Sequence, residues 1–290
     1  MKIRNPYRNL PQWYRGNTHT HSNLSDGDWP PEQVVAYYRE RGYAFLAVTD
    51  HDVFCDLSQF TTPAFLALSS DEVTVRGRDH IVGLNLKGLV KPFTDHQHTI
   101  DAINDQGGLA ILAHPNWSAF GLERCLGLHR YAAVEILNVV CSYLEYNGFA
   151  LQYWDQLLRS GVRVWGVAAD DAHRIPYQGG KAWVVVNADQ LTPEDVLANL
   201  KVGNFYSSTG PHFQKFEVVG DTIKVWCSPA IEVRFMTGDP NPASRVRGDA
   251  LMQAEYTPRP GDPYVRIEVV DAQMGSAWSQ PFFIDPDWRP

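Results

Sequence analysis

Phe45-Leu46-Ala47-Val48-Thr49-Asp50-His51 is the stretch whose reading decides the fold. A short apolar run that passes abruptly into polar residues reads as a strand buried on both faces. Upstream, 29–41 places Pro30 and Pro31 at a helix start, with Val34, Val35, Tyr37 and Tyr38 as its apolar face and Gly42 as its stop. Further strands are expected at 65–69, 80–86, 109–113, 133–137, 162–168 and 182–186. Helices fit between several of them: 94–104, capped by Thr94, then 146–159, ended by Gly161, and a last one opened by Thr192-Pro193 and running to about residue 202. Strand and helix alternating about seven times implies parallel strands joined by crossovers, in an α/β sheet or barrel.

The texture changes after Pro211. Strands are expected at 216–219, 222–226, 231–235 and 264–270, separated by turn residues and without a helical period. The division predicted is an α/β unit over 1–211 and a small all-β C-terminal domain over 212–290.

Composition narrows the function. The 290 residues are 44% hydrophobic and 20% charged, which is globular rather than disordered. A net charge of −8 argues against an electrostatic grip on duplex nucleic acid or an anionic membrane. No eighteen-residue apolar run offers a spanning helix, and residues 1–6 lack the apolar core of a signal peptide. Cys55, Cys125, Cys141 and Cys227 are scattered, as in a reducing compartment, so the cytoplasm is the expected location. The oligomeric state is left open.

The chemistry lies where His, Asp and Glu fall relative to strand ends. His19-Thr20-His21 and Asp171-Ala172-His173 are i, i+2 pairs, which share one side of an extended backbone. His51, Glu72 and His114 follow apolar runs, His80 begins one, and Asp26 sits in Ser25-Asp26-Gly27. Carboxyl ends of parallel strands are where barrel sites are built. Six imidazoles and three carboxylates without a thiolate suit Mn, Zn or Fe. Nine donors exceed the demand of one ion, so two or three divalent ions are implied, bridged by a carboxylate. His96-Gln97-His98 carries little weight as a ligand pair, because i and i+2 diverge on a helix. Asp50 and Asp52 flank His51 and are candidates to orient an imidazole. Among Arg15, Arg76, Arg78, Arg174 and Lys181, Arg174 is the preferred phosphate binder, because it directly follows a ligand pair.

These motifs resemble the PHP (polymerase and histidinol phosphatase) superfamily. The matching stretches are Asn17-Thr18-His19-Thr20-His21-Ser22 with Ser25-Asp26-Gly27, Val48-Thr49-Asp50-His51-Asp52, Glu72, His80, Ala113-His114-Pro115-Asn116 and Asp170-Asp171-Ala172-His173. The resemblance implies a distorted (β/α)7 barrel and a trinuclear centre. His19, His21, Glu72 and Asp171 would hold one ion. Glu72 would bridge to a second, held by His80 and His114. Asp26, His51 and His173 would hold the third, with Asp26 standing where many relatives carry histidine. The tail stretches 204–211 and 277–281 resemble the carbaryl-hydrolase-like (CehA/McbA) branch, which pairs the barrel with a C-terminal β domain.

Three divalent ions set against three carboxylates and a bridging hydroxide leave about +2 locally, which draws in an anionic ester. The leading expectation is therefore a metal-dependent phosphoesterase acting on a small phosphate mono- or diester through a metal-bridging hydroxide. The alternatives are a carbamate or carboxyl ester hydrolase using the same site and a noncatalytic metal-stabilised binding module.

Overall fold

The computed structural model describes residues 2–91 and 95–285. The first part of the chain forms β1 (Lys2–Arg4), β2 (Gln12–Asn17), α1 (Pro31–Glu40), β3 (Phe45–Val48), β4 (Leu66–Val75), β5 (Asp79–Leu84) and α2 (His96–Asp105). It continues with β6 (Leu109–Leu112), α3 (Leu122–Leu126), β7 (Ala133–Asn138), α4 (Val139–Glu145), α5 (Leu151–Arg159), β8 (Trp165–Ala169), β9 (Trp183–Ala188), α6 (Pro193–Lys201) and β10 (Phe205–Ser208). The rest is antiparallel: β11 (Phe213–Val219), β12 (Thr222–Met236), β13 (Ser244–Tyr256), β14 (Tyr264–Val270), β15 (Ser276–Ser279) and β16 (Phe282–Asp285). Among these residues no helix is long and apolar enough to cross a membrane.

The deciding stretch is a central strand. All four residues of β3 are buried, and β3 runs parallel to both β2 and β4. The architecture is mixed α/β, but strands and helices do not alternate seven times. β4 turns back through residues 76–78 into β5, which is antiparallel to both β4 and β6. Parallel neighbours need a crossover of about a dozen residues, so a three-residue connection, with Arg76 and Gly77 both at positive φ, allows only a hairpin. Parallel pairing resumes over β6, β7 and β8, and β9 returns antiparallel to β2. The helix expected at 146–159 begins only at Leu151, as α5, and α4 precedes the expected span. Tyr146 closes α4 in the left-handed conformation, and Gly148 passes so close to the Asn138 carbonyl that a Cβ there would meet it at 2.1 Å. Thr94, the expected cap of α2, lies outside the described residues; Asp95 accepts from the His98 N–H there at 3.1 Å.

The edge of β8 is closed by side chains rather than by a ladder. Gln280 Oε1 accepts from Gly166 N at 2.8 Å, and its Nε2 donates to the Gly166 carbonyl at 2.8 Å. Ser207 Oγ accepts from Ala168 N and donates to the same carbonyl, both at 2.9 Å. Past the ends of β2 and β8 the backbone forms a parallel Thr20–Ala172 bridge, which brings the 19/21 and 171/173 pairs to one end of the sheet.

The C-terminal strands are continuous with this sheet, since β10 pairs with β15 and β1 with β16. Strands expected separately at 222–226 and 231–235 are the single β12, whose register shifts between Trp226 and Ala230. Pro229 stands in that interval; it cannot donate to a ladder, and the strand bulges around it instead of ending. β13 escapes the sequence pattern because only Tyr256 of its thirteen residues is buried, so no apolar face repeats along it. Arg266 on β14 ties this part to α5. It is 1% exposed, and its Nε and Nη2 donate to the two Asp155 oxygens at 2.7 and 2.6 Å, while Nη1 donates to Glu268 at 2.5 Å. Removing one partner of a buried pair strands the other charge. Asp155→Ala is accordingly expected to lower the unfolding free energy by about 3–5 kcal/mol, read by urea denaturation, whereas a loss below ~1 kcal/mol would mean that the guanidinium is rehydrated.

Candidate metal centre

Glu72 lies within β4, not past its end, at the point where the strand leaves its parallel partner β3 for β5. Its carboxylate is fully buried and faces five imidazoles. Oε1 lies 3.1 Å from both His80 Nδ1 and His114 Nε2. Oε2 lies 3.2 Å from His19 Nε2 and His21 Nε2, and 3.1 Å from His51 Nδ1. Asp171 Oδ1 sits 3.1 Å from His19 Nε2 and 2.9 Å from His21 Nε2. Asp26, on the exposed side, reaches His173 Nε2 at 3.3 Å, His21 Nδ1 at 3.4 Å and His51 Nε2 at 3.7 Å. All nine residues named from the sequence are thus brought together. His96 stands apart, held by Asp79 at 2.8 Å.

Within this cluster three sets place one donor atom from each residue within 4.8 Å of the others. His19, His21, Glu72 and Asp171 form the first, as the family resemblance implies. Asp26, His51 and His173 form another, joined by His21. The third is His51, Glu72 and His80, and His114 Nε2 stands 3.3 Å from His80 Nδ1 beside it.

Supporting carboxylates differ from those expected. Asp50 does not touch an imidazole. It accepts from Ser22 N at 2.8 Å and from Ser25 Oγ at 2.7 Å, fixing the loop that carries Asp26. Asp52 accepts from Thr74 N at 2.8 Å. The carboxylate on an imidazole is Glu135 of β7. Its Oε1 pairs with His19 Nδ1 at 2.7 Å, and its Oε2 accepts from His114 N at 2.8 Å and Asn138 Nδ2 at 2.9 Å. Asn138 also donates to Asp171 Oδ2 at 3.0 Å. Sequence reading missed Glu135, although an acidic residue inside the apolar run 133–137 is an anomaly that signals it. Asp170 is structural: Gly180 N, Lys181 N and Ala182 N donate to it at 2.7–2.8 Å, and burial raises its pKa to about 6. Gln178 Oε1 holds the backbone of His173 and Arg174 at 2.8 and 2.6 Å.

The donor chemistry fits divalent ions. Glu72 Oε2 and His51 Nδ1 are buried 3.1 Å apart, yet neither finds a hydrogen bond, the arrangement expected of lone pairs that face a shared cation. Burial alone pushes the His19 and His21 imidazoles down, but Asp171 and Glu72 outweigh it, with Glu135 adding to the effect at His19. They hold His19 well above the usual range and raise His21 to about 9. Burial would raise Glu72, yet the facing histidines hold it well below the usual carboxylate range. Burial lowers His51. Without ions, protons therefore occupy positions that ions fill when bound.

A cavity of about 390 Å³ opens over the cluster, lined by His51, Glu72, His114, Trp117, Leu144 and Arg174 among others. The Cys141 thiol also lines it, pushed up far from thiolate by burial.

No family model and no curated protein matches the chain. Among solved structures it is similar to a two-domain protein from Bacteroides vulgatus that contains a predicted PHP-like metal-dependent phosphoesterase. The match has a TM-score of 0.55 at 13% identity and covers 97% of this chain and 100% of that one. An amidohydrolase from Chromobacterium violaceum overlaps 56% of this chain and 89% of its own, with a TM-score of 0.42 at 19% identity. A Bifidobacterium adolescentis protein described as a predicted metal-dependent phosphoesterase overlaps 55% and 87%, with a TM-score of 0.39 at 14% identity. The first of these likenesses shows that the mixed α/β fold with its C-terminal strands recurs along the full length of another chain.

Two outcomes follow from the site. Because His21 rises from 6.5 to about 9, its contribution to ion-free stability is complete below pH 6.5 and disappears as the pH passes 9. Thermal unfolding in chelator is expected to show falling Tm across that window, and a flat profile would contradict it. Glu135→Gln, which weakens the grip on His19, is expected to reduce divalent-ion affinity about 10- to 100-fold in calorimetric titration.

Proposed function

We propose that this protein is a metal-dependent phosphoesterase that hydrolyses a small phosphate monoester to alcohol and phosphate, or a diester to alcohol and a phosphate monoester. The site is read as His19, His21, Asp26, His51, Glu72, His80, His114, Asp171 and His173 holding two or three divalent ions (Mn, Zn or Fe). The 1–211 unit is read as a distorted barrel of the PHP type, with 212–290 as a β domain in the manner of the carbaryl-hydrolase-like branch. Bound ions of this kind lower the pKa of water towards about 7 and polarise the ester oxygen under attack.

The observation that carries the phosphoester reading is Arg174. Its exposed guanidinium lines the cavity directly after His173, and among the described residues it has no carboxylate partner. An unpaired guanidinium beside a cation cluster suits a phosphoryl group with several anionic oxygens, which it can grip in a bidentate manner. Gln178 fixes the backbone from which it projects. The chain's own contribution is then to bind and orient the phosphoryl group. A second reading, carbamate or carboxyl ester hydrolysis, is favoured by the apolar lining at Trp117, Val140 and Leu144. A small anionic ester is the expected partner in the first reading, and a neutral aryl ester in the second.

The test is a set of initial rates on manganese-reconstituted full chain with p-nitrophenyl phosphate, bis-p-nitrophenyl phosphate and an aryl carboxyl ester. Phosphate turnover is expected to dominate, to vanish on chelation and to fall at least about a hundredfold in His51→Ala. Arg174→Ala is expected to raise KM about tenfold for the phosphate substrate. Dominant carboxyl ester turnover that depends equally on His51 moves the assignment to the second reading.

A further inference from the structure

The cavity over the candidate ligands has both charged and apolar lining. Arg174 and His173 line it together with Trp117, Val140 and Leu144. The Trp117 ring stands edge-on to His114 with centroids 4.9 Å apart and lies 5.9 Å from His80, so apolar surface begins where the imidazoles end. A volume of about 390 Å³ is near the lower end for small-molecule sites, which favours a compact ester over a polymer.

The apolar wall is fixed to the ligands. Asn138 caps α4 by accepting from Cys141 N at 3.0 Å, while its Nδ2 donates to Asp171 and Glu135. Val140 N donates to the Asp170 carbonyl at 3.2 Å. The helix bearing Val140 and Leu144 is thus registered against the carboxylates beneath it. Apolar surface also continues outward. Four of the twelve large apolar side chains exposed among the described residues fall within 143–149, and Leu144 itself is 67% exposed. Such a patch at the mouth of a cavity marks a surface that gains by being covered. Glu145 lines the same side, and its carboxylate disfavours a second anionic group there.

Resting on the phosphoester reading, we infer that the alcohol portion of the substrate is an uncharged aromatic or bulky apolar group, lying along Trp117, Val140 and Leu144 with its phosphoryl group towards Arg174. The wall then selects the ester by desolvating its ring, while Arg174 grips the phosphate. This also accounts for apolar lining in a site whose chemistry is otherwise ionic.

The experiment compares two pairs on the metal-loaded full chain. The substrates are benzyl phosphate and 2-hydroxyethyl phosphate, whose alcohols have similar acidity, so that leaving-group chemistry does not decide the ratio. The second pair, benzylphosphonate and methylphosphonate, cannot be hydrolysed and reports binding alone by calorimetry. Benzyl compounds are expected to be favoured about tenfold or more in kcat/KM and in affinity. Leu144→Asn, at an exposed position that the fold tolerates, is expected to shrink both ratios about threefold or more. A phosphonate ratio near one, or a ratio that Leu144→Asn leaves intact, overturns the inference and leaves the phosphoester reading standing. Absence of turnover on both phosphates, with the phosphonate ratio preserved, strikes instead at the proposed reaction.

Discussion

The Glu72 carboxylate is the constraint around which this molecule is arranged. An anion that is fully buried with five imidazole nitrogens at 3.1–3.2 Å is stable only if protons or metal ions neutralise it. Its position follows from the backbone. β4 stays parallel to β3 through Ser69 and then changes partner to β5, so the residue two-thirds of the way along one strand faces ligands from both neighbours. His51 arrives from the end of β3, where it forms a parallel bridge to Glu72, and His80 arrives from β5. A continuous parallel β4–β5 pair would have separated these side chains.

Around that carboxylate the fold supplies buried polar groups that stop the imidazoles from rotating. Glu135 and Asn138 act as one unit. Glu135 sets His19 and the backbone of His114, and Asn138 joins Glu135, Asp171 and the first turn of α4. Asp50 and Asp170 do comparable work for loops rather than for rings, the first for Ser22 and Ser25, the second for residues 180–182. His114 and Asp171 both have positive φ, an unfavourable backbone for non-glycine residues that persists where surrounding contacts over-determine it.

The C-terminal strands are not an appendage. They share the sheet through β10 and β15, and Gln280 satisfies the backbone of Gly166 on β8, the strand that leads to Asp171. Arg266, buried against Asp155, fixes the same region to α5. The C-terminal strands therefore help to hold the strand from which Asp171 and His173 emerge.

Much of the site was legible in the sequence because its signals are local. The i, i+2 pairs His19/His21 and Asp171/His173 lie on extended backbone, where side chains two apart share a face, and the polar ends of apolar runs marked His51 and His114. The buried strands were legible for the same reason: their residues are apolar whatever their partners. Partner choice was not legible. Whether β5 runs parallel or antiparallel to β4 depends on a three-residue turn, and the union of two expected strands into β12 depends on pairing with β13, of which only Tyr256 is buried. Glu135 escaped because its role is defined by His19, 116 positions away. Sequence determined which residues are the candidate ligands, since residue type and short-range periodicity are written locally. The tertiary structure alone decided which of them face one another, because hydrogen-bond pairing between distant strands sets those distances.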